Sequence, residues 1–306
     1  MHFEPGKSAV ARFQPTLITI RFIFALAVLG CGPVLRAEDT ARNFRITSLY
    51  HVGYWVRDIG KVRDFYGKYL GFEEPYVLNY PDGKLQLVIM KVSERQVIYL
   101  FPDASKIRPN GENLDHLGLL VDNIAALHDD LITRNVKVGD PKRGRIDDLL
   151  IKVKDPDGHP FEVTQLEPQG QLLQHQGKSL PATRISSHLR SVTMVVADLP
   201  AAVSYCRDIL GFKEIGTVGD ATRLQVPDGT DFVELVLADR KPDAAGARSV
   251  PRYTLVVPDA TKAFDTLTAR SQSGEFPAPA PLSTTRDGKR QTSVVDPDGT
   301  RVILSE

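Results

Sequence analysis

The sequence has 306 residues, 42% of them hydrophobic and 25% charged, which is the composition of a globular protein rather than a disordered one. Lysine plus arginine and aspartate plus glutamate number 38 each, so the chain lacks the basic excess that nucleic-acid-binding proteins carry, and no nucleic-acid partner is expected. A chain of this length can form two domains, each with a hydrophobic core of its own.

Residues 1–37 have the pattern of a secretory signal peptide. Basic residues up to Arg21 precede an uncharged, mostly apolar stretch over 22–35, and Ala37 stands just before Glu38 at a suitable cleavage point. An uncleaved membrane anchor is the alternative, but the stretch is shorter than the roughly 20 apolar residues that a spanning helix needs. We therefore expect cleavage after Ala37, export to the periplasm or secretion, and no stable membrane insertion.

The two cysteines, Cys31 and Cys206, suggest different roles. Val-Leu-Gly before Cys31 distantly resembles a bacterial lipobox, so a lipoprotein anchored through Cys31 is a further alternative. If Cys31 leaves with the signal peptide, Cys206 is the one remaining cysteine and no internal disulfide can form. Its place beside Tyr205 on an expected helix indicates a buried structural thiol.

Two segments recur at an offset of about 140 residues, which indicates an internal duplication. Residues 49–74 match residues 191–215, each with a β-rich run, an aspartate, an amphipathic helix and then Leu-Gly-Phe. Residues 153–163 match residues 294–304 through a shared Asp-Pro-Asp-Gly turn. The chain is therefore expected to contain two related domains.

Each half contains a second, weaker repeat, because residues 115–136 and 252–270 again read as strand, aspartate and helix. The chain then has four modules of the order βαβββ. Two modules per domain would build a curved sheet with helices on its outer face and a concave side open to a ligand. This predicts an α+β protein with a first domain at 46–167, a polar linker at 168–187 and a second domain at 188–306.

The first module shows the expected elements most clearly. Alternating residues over 49–56 predict a half-buried strand, and Gly71 is the expected cap after the helix that follows. The helix is indicated by apolar residues at helical spacing, namely Ile59, Val62, Phe65, Tyr66 and Tyr69. Three more strands are expected at about 75–80, 85–92 and 96–101.

Two histidines stand at equivalent positions of the repeat. His51 shares a strand face with Gly53, and His116 shares a strand face with Gly118. A lone strand histidine is usually a hydrogen-bonded core residue, but a matched pair favours metal ligands. We expect each glycine to leave open space beside the imidazole on its own strand, where a metal and its exogenous ligand could lie.

Glu162 follows the Asp-Pro-Asp-Gly turn on an otherwise apolar strand, where an unpaired carboxylate would be costly to bury. A cation is the simplest partner for it. Two imidazoles and one carboxylate form the facial triad that suits Fe(II), Mn(II) or similar ions, and Zn(II) is possible. The sequence therefore predicts one divalent metal ion held by His51, His116 and Glu162.

Residues 46–306 resemble the vicinal oxygen chelate superfamily, which includes glyoxalase I, extradiol dioxygenases and bleomycin-resistance proteins. The stretch HVGYWV at 51–56, followed by FY at 65–66 and LGF at 70–72, is similar to the glyoxalase I signature. The resemblance implies tandem domains of this fold and ligand positions at His51, Tyr99, His116 and Glu162. It also implies that the substrate chelates the metal through neighbouring oxygens.

The chain departs from two members of this family. Glyoxalase I has a glutamate where Tyr99 stands, so the pair of glutamates used in its proton transfer is absent. The extradiol signature has a tyrosine where Lys152 stands. It also has a histidine farther upstream, in the region where this chain has Arg143 and Arg145. Arg143 and Arg145 could contact an anionic substrate, although loop arginines are usually only solvated.

Other residues are candidates for the substrate pocket and for catalysis. Trp55, Tyr99 and Phe101 share the inward face and are expected to line an apolar pocket. Tyr99 could also donate a hydrogen bond to a metal-bound oxygen. His159 could reach the site from its rim, with an exposed turn residue as the alternative.

The second domain lacks a triad at the matching positions, which are predicted to be Ser191, Glu234, Tyr253 and Ile303. We expect it to bind no catalytic metal and to close the cavity, pack against its twin or mediate a homodimer.

The residues and the resemblance together predict a metal-dependent enzyme acting on a small organic molecule, with extradiol-like dioxygenase chemistry favoured. Glyoxalase or lyase, isomerase and thiol-transferase chemistry on the same site are alternatives. A non-catalytic small-molecule binder similar to bleomycin-resistance proteins is an alternative of a different class.

Overall fold

The structure, a computed structural model, describes residues 1–2, 42–108, 112–238 and 252–306. Almost all of the expected signal peptide, with its cleavage point and Cys31, lies outside these residues. Among the described residues, no helix is long and apolar enough to cross a membrane.

The first half of the chain forms one mixed eight-stranded sheet with the order β2-β3-β4-β1-β5-β8-β7-β6. The first strands of the two modules, β1 and β5, are antiparallel neighbours at its centre, and each pairs in parallel with the last strand of its own module. The two βαβββ modules per domain are thereby confirmed. The strands are β1 Ile46–Trp55, β2 Val77–Asn79, β3 Leu85–Lys91, β4 Val97–Phe101, β5 Leu114–Val121, β6 Lys142–Arg143, β7 Leu149–Lys154 and β8 Pro160–Gln165.

The second half repeats this arrangement in a second eight-stranded sheet with the order β10-β11-β12-β9-β13-β16-β15-β14. The α+β architecture of two tandem domains is therefore confirmed. The strands are β9 His188–Val196, β10 Lys213–Val218, β11 Ala221–Gln225, β12 Phe232–Leu237, β13 Arg252–Val256, β14 Ser283–Thr284, β15 Arg290–Val295 and β16 Arg301–Ser305.

The helix after each first strand begins at an aspartate that accepts backbone N–H groups, Asp58 in the first domain and Asp198 in the second. Gly71 follows the end of the first helix with a φ of +78°, a conformation that suits glycine, as expected. The helices are α1 Ile59–Asp64 with a π-helical turn Phe65–Tyr69, the 3-10 turn Ala104–Lys106, α2 Ile124–Thr133, α3 Gln171–Gln174, α4 Leu199–Ser204 with a π-helical turn Tyr205–Ile209, and α5 Ala260–Ser271.

The two domains share their main hydrophobic core, which contains buried residues of both halves. The rings of Tyr54 and Tyr253, one from each half, lie 5.9 Å apart, and Tyr69 stacks on Phe276 at 5.0 Å. Cys206 is buried in this core, as expected for a structural thiol. Each half completes the apolar surface of the other.

Reciprocal polar contacts also join the halves. Asp298, in the turn of the second domain, accepts a hydrogen bond from the backbone N–H of Arg57 at 3.1 Å. Asp157, in the matching turn of the first domain, accepts one from the backbone N–H of Ala197 at 2.6 Å. Each duplicated turn therefore satisfies the backbone just beyond the first strand of the other domain.

The segment 168–187, expected to be a polar linker, is more ordered than its composition indicated. It contains α3, and Leu172 of that helix is fully buried in a small apolar cluster on the concave side of the first sheet. The backbone N–H of Gln171 also donates to the carbonyl of Ile146 at 2.8 Å. The segment therefore packs against the wall of the concave side.

Candidate metal centre

The two central strands of the first sheet place each histidine opposite a glycine. His51 on β1 pairs with Gly118 on β5, and Gly53 pairs with His116. A Cβ atom at Gly53 would lie 3.0 Å from Cε1 of His116, and one at Gly118 would overlap the His51 ring. Each glycine therefore makes room for the imidazole of the neighbouring strand, and the expected open space beside its own histidine is not found.

This packing brings three potential ligands together. The two imidazole rings meet edge to face with centroids 4.7 Å apart. Glu162 on β8 pairs with Gly118, which places Oε1 of Glu162 3.9 Å from Nε2 of His51. One ligand atom from each of these three buried residues lies within 4.8 Å of the others. Small adjustments would bring all three atoms onto one ion, given metal–ligand bonds of about 2.0–2.2 Å.

Several of these atoms are buried without a partner, which is costly unless something else binds them. Among the described residues, neither ring nitrogen of His51 has a hydrogen-bond partner, and neither does Nε2 of His116. Burial, followed by the charges of His116 and Lys152, holds the pKa of His51 well below its ordinary value. His51 is thus a neutral imidazole, the form that binds a metal.

The sequence analysis missed two charged neighbours of this group. Asp115 places Oδ2 2.6 Å from Nδ1 of His116, which fixes the ring and leaves Nε2 for the centre. Lys152 places Nζ 2.9 Å from Oε2 of Glu162, across the β7–β8 hairpin. The adjacency of Asp115 to His116 was visible in the sequence, whereas the Lys152 contact requires the register of the hairpin.

A cavity of about 400 Å³ opens beside His116 and Glu162 on the concave side of the first sheet. Its apolar lining comes mostly from strands of the first module, with Ile146 and Leu150 from the second module, and its cationic residues come from the β6–β7 region of the second module. The cavity is lined by Leu78, Gln86, Leu87, Tyr99, Phe101, Asp115, His116, Lys142, Arg143, Gly144, Arg145, Ile146, Asp148, Leu150, Lys152, Glu162 and Thr164.

The three aromatic residues expected to form the pocket have different positions. Tyr99 and Phe101 line the cavity, but Trp55 is not among the lining residues and instead packs against Phe101, with centroids 4.9 Å apart. Tyr99 stacks on His51 at 4.2 Å, and its hydroxyl donates to that of Tyr50 at 3.5 Å. A hydrogen bond from Tyr99 to a metal-bound oxygen stays a prediction.

His159 is not among the residues that line this cavity. It is also not an exposed turn residue, because only 6% of it is exposed and Nδ1 lies 2.8 Å from Oδ2 of Asp155 in its own turn. Burial lowers the pKa of His159, but the hydrogen bond and charge of Asp155 and the charge of Glu112 together outweigh it, so the pKa is raised above its ordinary value. The structure does not bring His159 to the other site residues, and a catalytic role for it stays a prediction.

In the second sheet, Arg252 and not Tyr253 stands at the position that matches His116. Thr193 pairs with Arg252 as Gly53 pairs with His116, so Arg252 occupies the place that was assigned to Tyr253. Tyr253 is fully buried in the shared core. The error was one residue along the strand, which reverses the face on which a side chain lies.

Glu234 is the one carboxylate among the matching positions of the second sheet, and side chains of the same domain donate hydrogen bonds to it. Oε1 accepts a hydrogen bond from Nε of Arg223 at 2.9 Å, and Oε2 accepts one from the hydroxyl of Thr193 at 3.0 Å. Arg252 places Nε 3.9 Å from the same carboxylate. The guanidinium groups of Arg223 and Arg252 therefore both lie close to the carboxylate of Glu234.

Comparison with known families gives two matches in this chain. The model described as "Glyoxalase/Bleomycin resistance protein/Dioxygenase superfamily" matches residues 48–163 and again residues 188–304. Comparison with functionally curated proteins gives no match.

Solved structures with the same fold include a glyoxalase and extradiol dioxygenases. The Mn(II)-bound glyoxalase from Novosphingobium aromaticivorans has a TM-score of 0.63 at 17% identity, over 86% of this chain and 82% of that one. Homoprotocatechuate 2,3-dioxygenase from Arthrobacter globiformis has a TM-score of 0.60 at 15% identity, over 85% and 80%. An extradiol ring-cleaving dioxygenase from B. fuscum has a TM-score of 0.60 at 15% identity, over 86% and 72%. At these identities the likeness shows the fold alone.

Proposed function

The chain belongs to the glyoxalase/bleomycin resistance protein/dioxygenase superfamily, and from this membership we propose that it is an enzyme dependent on one divalent metal ion. His51, His116 and Glu162 would hold the ion in the first domain. The observation that carries the proposal is the convergence of these three buried residues with unpartnered nitrogens of both histidines. A fold with no use for a metal would have little reason to leave such atoms unsatisfied.

The donor set favours Fe(II) or Mn(II), with Zn(II) possible, because two imidazoles and a carboxylate leave positions open for a chelating ligand. A divalent ion there would act as a Lewis acid toward a substrate with two neighbouring oxygens. The described residues of the second domain offer no comparable set, since Arg252 and Ile303 stand where the second histidine and the glutamate of the first domain stand. We therefore propose one metal ion per chain.

Among reactions, we favour oxidation of a catechol-like substrate by dioxygen. Tyr99 stands at the position where glyoxalase I carries its further glutamate, so this chain lacks the pair of carboxylates used for that proton transfer. Tyr99 and Phe101 would hold an aromatic ring against the apolar wall of the cavity. Isomerase, lyase and thiol-transferase chemistry are the alternatives at the same site.

A second candidate is a non-catalytic binder of small molecules. The ion pair between Lys152 and Glu162 favours this candidate, because it neutralises the glutamate without a metal. The unpartnered nitrogens of His51 and His116 favour the enzyme.

Metal content separates these two functions. We would purify the chain without added metal, measure bound metals by mass spectrometry, and repeat the measurement on Glu162→Gln and on Glu234→Gln, which changes the buried glutamate of the second domain. If the chain is the proposed enzyme, we expect about one iron or manganese ion per chain. This metal should be lost in Glu162→Gln and kept in Glu234→Gln. Catechol-like compounds under oxygen would then be screened as substrates. A wild-type protein that takes up no metal even after reconstitution would support the binder.

We also propose that the chain is exported, on the strength of the pattern in residues 1–37. N-terminal sequencing of protein from the periplasmic fraction would be expected to begin at Glu38. A mature protein retaining lipidated Cys31 would instead support the lipoprotein alternative.

A further inference from the structure

Three cationic side chains stand at the mouth of the metal-site cavity. Lys142 and Arg143 form β6, Arg145 follows in the loop before β7, and all three are exposed and line the cavity. We call these three residues the cationic rim. The same cavity is also lined by apolar residues of the first module, among them Leu78 and Leu87.

The guanidinium groups of the rim contact neutral groups. Arg143 donates from Nη1 to the backbone carbonyl of Asp147 at 2.7 Å. Arg145 donates to the side-chain oxygen of Gln86 and lies over the ring of Tyr80, 5.3 Å from its centroid. Gln86 belongs to β3 and Tyr80 to the turn before it, so Arg145 reaches across the cavity mouth to strands of the other module. The charge of Arg145 is held in place without being neutralised.

Exposed arginines elsewhere on the described surface are mostly paired with acids. Nε of Arg45 lies 2.8 Å from a carboxylate oxygen of Asp122, and Nη2 of Arg290 lies 3.0 Å from one of Glu306. By contrast, no ion pair joins a rim residue to a carboxylate within the described chain. The rim therefore concentrates three positive charges that no ion pair of the described residues neutralises.

Of the three carboxylates that line the cavity, two contact other side chains of the site. Asp115 contacts His116, and Glu162 contacts Lys152. Asp148 is buried, and its Oδ1 accepts the backbone N–H of Glu167 at 2.8 Å. Burial raises the pKa of Asp148 to about 6, against a smaller lowering effect of Arg143. No ion pair joins Asp148 to a rim residue within the described chain, so Asp148 does not neutralise the rim by direct contact.

We propose that the substrate of the metal site carries a carboxylate, and that the cationic rim binds it while the chelating oxygens face His116 and Glu162. This inference rests on the proposed function and names its substrate class. Arginine binds planar carboxylates with two parallel hydrogen bonds, which suits Arg143 and Arg145. A volume of about 400 Å³ is near the lower end for small-molecule sites, so one ring with a short acidic arm is the expected size.

The test compares two probes on the metal-loaded protein without oxygen. Catechol supplies the two neighbouring oxygens alone, and protocatechuate adds a carboxylate to the same ring. Calorimetry would measure both dissociation constants for the wild type, Arg143→Gln, Arg145→Gln and Arg145→Lys. Arg286→Gln is the matched control, because β14 and β15 place Arg286 at the corresponding loop position of the second sheet.

We expect the wild type to bind protocatechuate about tenfold more tightly than catechol, as for a charge-assisted hydrogen bond. Each glutamine substitution at the rim should bring this ratio toward one, Arg145→Lys should restore part of it, and Arg286→Gln should leave it unchanged. A metal-loaded wild type that binds both probes equally would overturn this inference alone. A wild type that holds no metal would overturn the proposed function and this inference with it.

Discussion

Gly118 lies directly opposite His51 across the two central strands of the first sheet, and a side chain at that position would overlap the imidazole ring. The same relationship holds between Gly53 and His116. The duplicated module therefore supplies a histidine and a glycine from each central strand, and the antiparallel pairing of the strands puts each imidazole over the glycine of the other.

Gly118→Ala tests this arrangement. The added methyl group must displace the ring of His51, which is fully buried and stacked on Tyr99, so we expect at least about a tenfold loss of metal affinity. Titration with Mn(II) or Fe(II), followed by metal analysis, would measure it. Gly139→Ala is the control, because a Cβ atom there meets nothing within 4 Å. Equal metal affinity in both variants would contradict a ligand role for His51.

Asp115 gives a second prediction, since its carboxylate fixes the ring of His116 through Nδ1. Asp115→Asn should lower metal affinity by about 10- to 100-fold, the usual effect of removing a carboxylate behind a ligating histidine. The control is Asp129→Asn, because Asp129 is exposed and lies 3.7 Å from His128 on α2. Unchanged metal affinity in Asp115→Asn would show that His116 keeps its orientation without this contact.

The sequence allowed the candidate ligands to be identified because two independent regularities coincide on them. The repeat aligns His51 with His116, and strand periodicity places Glu162 on an otherwise apolar strand. The four βαβββ modules followed from the same repeat. Such arguments need only the order of residues along one strand and the comparison of one module with the next.

Apart from the contact between Asp115 and His116, the contacts that the sequence did not predict depend on how strands are aligned or brought together in the fold. The pairing of Lys152 with Glu162 follows from the β7–β8 register. The β9–β13 register likewise places Arg252, and not Tyr253, at the position that matches His116. Arg145 meets Gln86 because the curved sheet brings distant strands together at the cavity mouth. Residue patterns within one strand do not determine these alignments.

Lys152 leads to a third prediction, which concerns stability. In the metal-free protein its ammonium group pairs with Glu162, so Lys152→Met should lower the melting temperature by leaving a buried carboxylate without a cation. Added metal would supply the missing charge, so the metal-induced rise in melting temperature should be larger in Lys152→Met than in the wild type. Lys154→Met is the control, because Lys154 is exposed two residues farther along β7. A smaller rise in Lys152→Met than in the control would contradict this account.

The shared core gives a fourth prediction, which concerns pH. Asp296 is buried near Tyr66, whose hydroxyl donates to Oδ2 at 3.2 Å, while the backbone N–H groups of Thr300 and Asp298 donate to Oδ1. Burial raises the pKa of Asp296 from 3.8 to about 7. The native state therefore binds this proton more tightly than the unfolded chain, and its stabilising contribution is complete below pH 3.8 and lost as the pH rises through about 7.

Asp296→Asn removes this titration and keeps an oxygen that can accept the two backbone N–H groups. We expect the variant to gain stability relative to the wild type as the pH rises from about 4 to 8, up to roughly 4 kcal/mol for a shift of this size. Denaturant unfolding at each pH would measure the difference. Asp265→Asn, an exposed substitution on α5, is the control and should follow the wild type. A constant stability difference between Asp296→Asn and the wild type over this range would show that Asp296 does not titrate there.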